Sequence, residues 1–331
     1  MYIIKLQTFV RNVLDLDNMN KIKQFFLKIK PSRRRIIQLY AALLVNSNVK
    51  GYITGNIYKG PLKSICGPGL NCYSCPGATL ACPIGSLQNA LSETKTKTIS
   101  FVLGIILLYS IIFGRMICGY LCPTGLIQDL LYKIKTPKLK KNKVTYVLSY
   151  FKYFLLAVFV IGIPLFFGLA QNELPLPSFC KYICPSGTIG GGILLLSNPN
   201  NASFFEMLGG LFTWKFVVAV VLVVASIFIY RVFCRFICPL GALYGLFNKL
   251  SILGIHIDES TCTHCNACVS VCKMDVKKVG DHECINCGEC KSVCATHSIS
   301  FRGEDLVKAF HKKKIEENNQ KIESNNNNEQ N

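Results

Sequence analysis

"RMICGYLCPTG" at residues 115–125 and "RVFCRFICPLG" at 231–241 align without a gap. Arg115 falls on Arg231, Cys118 on Cys234, Cys122 on Cys238, Pro123 on Pro239, Gly125 on Gly241 and, beyond them, Lys133 on Lys249. Each stretch follows a long apolar run, so each C-x3-C-P-x-G marks the end of a helix. The proline holds the second Cys out of helical backbone and suits the first position of a new helix. The glycine lets backbone approach a bulky inorganic ligand. Each copy offers two thiolates. Two copies at one membrane face offer four, the ligand set of one [4Fe–4S] cubane. Cys118, Cys122, Cys234 and Cys238 are therefore expected on an inner membrane cluster, within two parallel repeats about an axis normal to the membrane.

A helix needs about 20 mostly apolar residues to cross the hydrocarbon core. About four spans are expected, at 36–58, 98–117, 144–170 and 212–233. Asn46, Asn48 and Lys50 interrupt the first, and Lys152 lies near one end of the third. Orientation follows Lys and Arg in the connecting loops. Nine precede the first span and six fall within 133–143, against one in 171–214 and four in 51–97. Both termini are thus expected in the cytoplasm of a multi-pass cell-membrane protein. The second and fourth spans would both run from outside to inside.

Half of the 331 residues are hydrophobic and 17% are charged, below the roughly 25% of soluble domains. The net charge of +19 suits nucleic acid, anionic lipid or the inner face of a membrane. Because the basic residues flank apolar runs, the inner face is favoured, with membrane lipid and no nucleic acid as partner. The first His is His256, so the spans cannot supply axial ligands for haem. Residues 1–30 read as a basic amphipathic segment rather than a signal peptide, and Met19 is an alternative start. The membrane domain is expected over 31–255, a soluble module over 256–302 and a charged, disordered tail over 303–331.

The soluble module holds C-x2-C-x2-C-x3-C twice, at Cys262, Cys265, Cys268, Cys272 and at Cys284, Cys287, Cys290, Cys294. In such runs the fourth Cys ligates the other cluster. One [4Fe–4S] is expected on Cys262, Cys265, Cys268 and Cys294, and a second on Cys284, Cys287, Cys290 and Cys272. Structural zinc also uses C-x2-C pairs, but does not account for eight Cys in two copies of this rhythm. This part resembles the bacterial two-cluster ferredoxins, including "CINCGECKSVC". Lys273 and Ala295 stand where that family usually has Pro, which puts an assumed potential in doubt and leaves the cluster count alone.

Six further Cys precede the second and fourth spans: Cys66, Cys72, Cys75 and Cys82, then Cys180 and Cys184. The charge pattern places them outside. Four could hold an outer [4Fe–4S], Cys180 and Cys184 among them by analogy with the inner pair. Spacing leaves open which two of the others join. Disulfides are the alternative on an oxidising face.

Taken together, these motifs resemble the NapH-type membrane polyferredoxins and the related membrane half of nitrous oxide reductase regulators, over residues 31–300. The resemblance implies a mainly α fold: a polytopic membrane helix bundle with a small C-terminal α+β ferredoxin domain. It also implies electron transfer through or along a membrane with partner redox proteins. Family members also serve cofactor maturation, so the pathway stays open.

"PGAT" at 76–79 lacks the Ser of a covalent flavin site at Thr79. Gly190–Gly192 follow no strand, which argues against NAD. His264, His282 and His297 are expected beside the clusters, not as ligands. Lys273, Lys277, Lys278 and Lys291 either steer an acidic donor such as ferredoxin or flavodoxin or are ordinary inside charge. No acid–base or nucleophile constellation appears, so the expectation is an iron–sulfur electron carrier of about four clusters. Its acceptor would be an outward-facing protein such as an exported flavoprotein. The alternatives are a quinol dehydrogenase subunit using quinone in the bilayer, and an accessory reductase in assembly of another metalloenzyme.

Overall fold

The computed structural model describes residues 33–93, 96–139, 141–170, 176–205, 209–302 and 304. The expected amphipathic segment at 1–30, Met19 and all of the expected tail except residue 304 lie outside the described residues.

Three helices are long and apolar enough to cross a membrane: Thr96–Phe113, Lys143–Leu169 and Gly210–Phe228. About four were expected. The region of the first expected span forms two short helices, Arg33–Val45 and Val49–Thr54. At the break, Asn46 bonds back to Ala42 O at 2.9 Å and Asn48 donates to Pro76 O at 2.7 Å. Asn side chains compete in this way with helical backbone bonds. At about 1.5 Å per residue, the 13 residues of Arg33–Val45 reach about 20 Å, short of a core about 30 Å thick. The pair still joins two levels of the molecule. Arg34 and Gln38 donate to Gly119 O at 3.0 and 2.7 Å, while the Tyr52 hydroxyl lies 3.7 Å from Cys75 Sγ.

Lys143–Leu169 accommodates a proline by widening. Pro164 lacks an N–H and would crowd the carbonyl four residues back, and Leu156–Gly162 is a π-helix. Along the three long helices Phe101, Leu108, Phe154, Phe166, Val217 and Val221 are exposed. Such continuous apolar surface belongs against lipid.

The three C-x3-C-P turns share one bond, in which the second Cys N–H reaches five residues back. Cys122 bonds Ile117 O at 3.0 Å, Cys184 bonds Phe179 O at 3.0 Å and Cys238 bonds Phe233 O at 2.8 Å. Cys122 and Cys238 are extended, with ψ of 118° and 111°, and Pro123 and Pro239 open the helices Pro123–Leu131 and Pro239–Phe247. The glycines are closely packed: a Cβ on Gly125 would lie 3.0 Å from Cys118 O, and one on Gly241 would lie 3.3 Å from Cys234 O. A Cβ on Gly125 would lie 3.3 Å from the Arg231 guanidinium, and one on Gly241 would lie 3.4 Å from Arg115 Nη2. Each glycine makes room for the arginine of the opposite stretch.

In the soluble module β1 (Ile255–Ile257) pairs antiparallel with β2 (Ile299–Phe301). In both Cys loops the residues flanking the second Cys are left-handed: His264 (φ 53°) and Asn266 (57°), then Asn286 (51°) and Gly288 (80°). Turns of this kind form backbone N–H nests suited to an anionic group. Charge pairs, those of Glu283 and Asp275 buried and that of Glu289 exposed, fix the module to the helices. Glu283 is wholly buried between Arg115, at 2.9 Å, and Lys152. Asp275 pairs with Arg235, and Glu289 with Arg34 at 3.2 Å. Lys152, a charge within the third span, thus has its partner outside the spans.

Candidate functional site

The eighteen Cys fall into four groups of four with two left over. In the soluble module, Cys262, Cys265, Cys268 and Cys294 line one cavity. Cys272, Cys284, Cys287 and Cys290 line another, which Tyr230 also borders. Cys294 therefore lies with the first three Cys of the first run, and Cys272 with those of the second. Cys268 borders both cavities. The Cys294 thiol, held by Ser298 at 3.2 Å and Thr296 at 3.6 Å, is brought down to about 7. Burial pushes Cys272 and Cys290 up to about 12.

The third group is Cys118, Cys122, Cys234 and Cys238, all buried and within electrostatic reach of one another. Arg231 donates to both oxygens of Asp129, each at 2.7 Å. Arg34 reaches the same carboxylate at 2.6 Å. Burial works to raise the Asp129 carboxyl, but the two guanidiniums outweigh it and hold it at about 2. Arg115 lies beside Cys118, and its Nε and Nη2 are buried without a hydrogen-bond partner.

The fourth group comes from the stretches expected outside. Cys72, Cys82, Cys180 and Cys184 lie within electrostatic reach of one another, with Lys215 beside Cys72 and Cys184. Cys75, next to Cys72, faces Tyr52 and Asn46. Cys66 is buried near Tyr109. One of these choices had a signal in the chain. "CPIG" at 82–85 matches "CPTG", "CPSG" and "CPLG" at the other turns. Cys72 had none, because Ala78 occupies the place that C-x3-C would give to its partner.

The two membrane groups were expected at opposite faces, and they are close neighbours. Thr124 donates to Leu70 O at 2.9 Å and lies 3.1 Å from the Ser186 hydroxyl. Tyr244 donates to Pro68 O at 2.7 Å. The span Lys143–Leu169 serves as a ruler. Lys152 touches Arg235 O at 3.5 Å, beside the third group, and Phe159 O accepts from Ser178 at 2.5 Å, beside the fourth. The two contacts lie seven residues apart on one helix, at most about 10 Å at the α-helical rise, against about 30 Å of hydrocarbon. Irregular backbone at this depth is tolerated because helices cover it. On the other side, Tyr120 donates to Cys287 O at 3.2 Å, so the second group abuts the third.

The donor sets suit iron–sulfur clusters. Soft thiolates select them, and buried anionic groups need cations or donors nearby, which Arg115 and Lys215 offer. Among the described residues no three His, Cys, Asp or Glu side chains converge on one metal ion. A cubane asks only for one thiolate per iron. His264 is exposed beside Glu259. Sequence reasoning missed the buried partners Asp129, Asp275 and Glu283, which no local motif marks.

Comparison with known proteins agrees. A 4Fe-4S binding domain pattern matches residues 96–142 and 211–256, and a second 4Fe-4S binding domain pattern matches 255–278. The chain is 29% identical to an uncharacterised protein of Methanocaldococcus jannaschii over 56% of this chain and 60% of that one. It is 24% identical to the ferredoxin-type protein NapH of Escherichia coli, over 57% of this chain and 59% of NapH. It is 25% identical to the methylamine utilization ferredoxin-type protein MauN of Methylorubrum extorquens, over 51% and 50%. The chain thus spans half to three-fifths of these three relatives. No solved structure matches. By its 4Fe–4S binding patterns and its ferredoxin-type relatives, the chain resembles the NapH-like 4Fe–4S polyferredoxins over part of its length.

Proposed function

We propose that the protein conducts single electrons between its soluble module and an acceptor reached through the membrane domain. The observation that carries this is the unbroken succession of four thiol groups. Cys262, Cys265, Cys268 and Cys294 would hold one cluster, and Cys272, Cys284, Cys287 and Cys290 the next. Cys118, Cys122, Cys234 and Cys238 would hold the inner membrane cluster, and Cys72, Cys82, Cys180 and Cys184 the outer. When bound, such clusters supply one-electron transfer without a change of protein bonds. The chain's own part is to fix spacing and exclude water. Glu283, Asp275 and Glu289 lock the module against the helices. Cytoplasmic termini, ferredoxin or flavodoxin as donor and an exported flavoprotein as acceptor belong to the same reading.

The test uses the full chain in sealed liposomes with a reduced soluble donor on the module side and an impermeant acceptor inside. Reduction of the acceptor, abolished by Cys234→Ser, is expected. Equal reduction by that variant would sink the proposal. A second reading, a quinol dehydrogenase, has one observation in its favour. A cavity bordered by Asn46, Tyr52, Asn71, Thr124 and Ser186 lies beside the turns at Pro123 and Pro185. Quinol-dependent reduction of the clusters in membranes would favour it.

A further inference from the structure

Two glutamines that no motif marks make the same set of contacts at the two membrane groups. Gln128 Nε2 donates to Cys234 Sγ at 3.1 Å, and its Oε1 accepts the Phe233 N–H at 3.0 Å. Gln88 Nε2 donates to Cys180 Sγ at 3.3 Å, and its Oε1 accepts the Phe179 N–H at 2.9 Å. Each amide also donates to its own helix, Gln128 to Thr124 O and Gln88 to Ile84 O, both at 3.2 Å. The two are 4% and 0% exposed, and each lies six residues after the Cys of a C-P-x-G turn, Cys122 or Cys82. A buried amide is costly unless its groups are bonded.

The orientation of each amide follows from its partners. A backbone N–H can only donate, so the amide oxygen must face Phe233 or Phe179. The NH2 is thereby aimed at sulfur. Each glutamine also reaches from the helix after one Cys turn to the first Cys of another, so it holds that side chain in place while donating to it.

We propose that Gln88 and Gln128 are positioning residues that each set the reduction potential of one membrane cluster through an amide N–H···S hydrogen bond. The inference rests on the assignment of those clusters made above. On reduction a cluster gains one electron, and no bond forms or breaks. The added charge falls partly on the thiolate sulfurs, so a donor there favours the reduced state and raises the potential.

The test is an EPR-monitored redox titration of the full chain, with Gln128→Leu and Gln88→Leu. Loss of an outer hydrogen bond at a metal site costs about tenfold or more in metal affinity or activity, and a change of that order is expected here in the reduced-to-oxidised ratio. A tenfold change in the reduced-to-oxidised ratio is about 59 mV for one electron, here toward lower potential. Gln128→Leu should move one signal and Gln88→Leu a different one, while the soluble clusters stay. Wild-type protein carrying 15N in glutamine side chains should show nitrogen coupling to both membrane signals by pulsed EPR. Each variant should lose one coupling. If a Leu variant loses its cluster, the wild-type coupling decides. Unmoved midpoints in both variants, or no coupling in the wild type, overturns the inference. A preparation with only about eight iron atoms and no membrane signals overturns the cluster assignment instead.

Discussion

Replacing Asp129 by Asn removes a charge and almost no volume, which makes it a clean test of what holds the two C-x3-C-P stretches together. Asp129 follows the first stretch and Arg231 opens the second. Their two hydrogen bonds are 2.7 Å each, and Arg34 adds a third contact at 2.6 Å. Arg231 is wholly buried. The substitution leaves two guanidiniums facing a neutral amide. Removing one partner of a buried ion pair costs about 3–5 kcal/mol. The acid limb offers a separate measure. Holding the carboxyl at about 2 instead of 3.8 corresponds to about 2.5 kcal/mol at about 1.4 kcal/mol per pH unit. Because the folded value is depressed, this stability is present above pH 3.8 and is lost as pH falls from there through about 2. Asn should cost somewhat more than acid, since it is a poorer partner for both arginines. At about 2–4 °C per kcal/mol for a large domain, the variant should unfold roughly 6–20 °C below wild type. The assay is thermal loss of cluster absorbance in detergent, repeated with Arg231→Met and the double variant. A single Asn variant within about 1 kcal/mol of wild type, with no coupling in the cycle, would refute the reasoning.

Four more outcomes are expected. Ser at Cys118, Cys122, Cys234 or Cys238 should abolish one and the same EPR signal, and Ser at Cys72, Cys82, Cys180 or Cys184 a second. Cys66→Ser and Cys75→Ser should leave both intact. Anaerobic full chain should approach about 16 iron atoms and as many sulfides, counted at four per cubane. Glu283→Gln should loosen the soluble module by removing the shared anion of Arg115 and Lys152, read as faster proteolysis around residues 248–256 with the module's own clusters retained. Tyr73, exposed in the loop between Cys72 and Cys75, gives a topology reporter. Tyr73→Cys in a chain lacking Cys75 should react with an impermeant thiol reagent from outside the cell, and a reaction only after permeabilisation would reverse the expected orientation.

The parts of the site legible in the chain are those written as covalent spacing. C-x3-C-P-x-G reads directly because its proline dictates the backbone of Cys122 and Cys238 whatever surrounds them. The ferredoxin runs read for the same reason. Cys72 was not legible, since it joins Cys82, Cys180 and Cys184 through a loop path and not through a local pattern. Nor were Asp129 and Glu283, ordinary acids until the fold encloses them with arginines 102 and 168 residues away. Hydropathy misjudged the first expected span because Asn46 and Asn48 break the helix there. Nor does it show how near the Cys72–Cys82 loop returns to the inner turns, because apolar length records how far a helix travels and not how far the following loop returns.

That return has an electrical consequence. A charge moved across the whole membrane exchanges about 2.3 kcal/mol with each 100 mV of membrane potential. The contacts of Lys152 and Phe159 beside the two membrane groups lie within about 10 Å along one span, about a third of the hydrocarbon thickness. A charge moved between them therefore feels only about 0.8 kcal/mol per 100 mV. In that arrangement about two-thirds of the voltage drop would lie outside the step between the two groups. The step between the two groups would feel only about a third of the membrane potential, and the larger share of the voltage sensitivity would lie in the exchanges on either side of it.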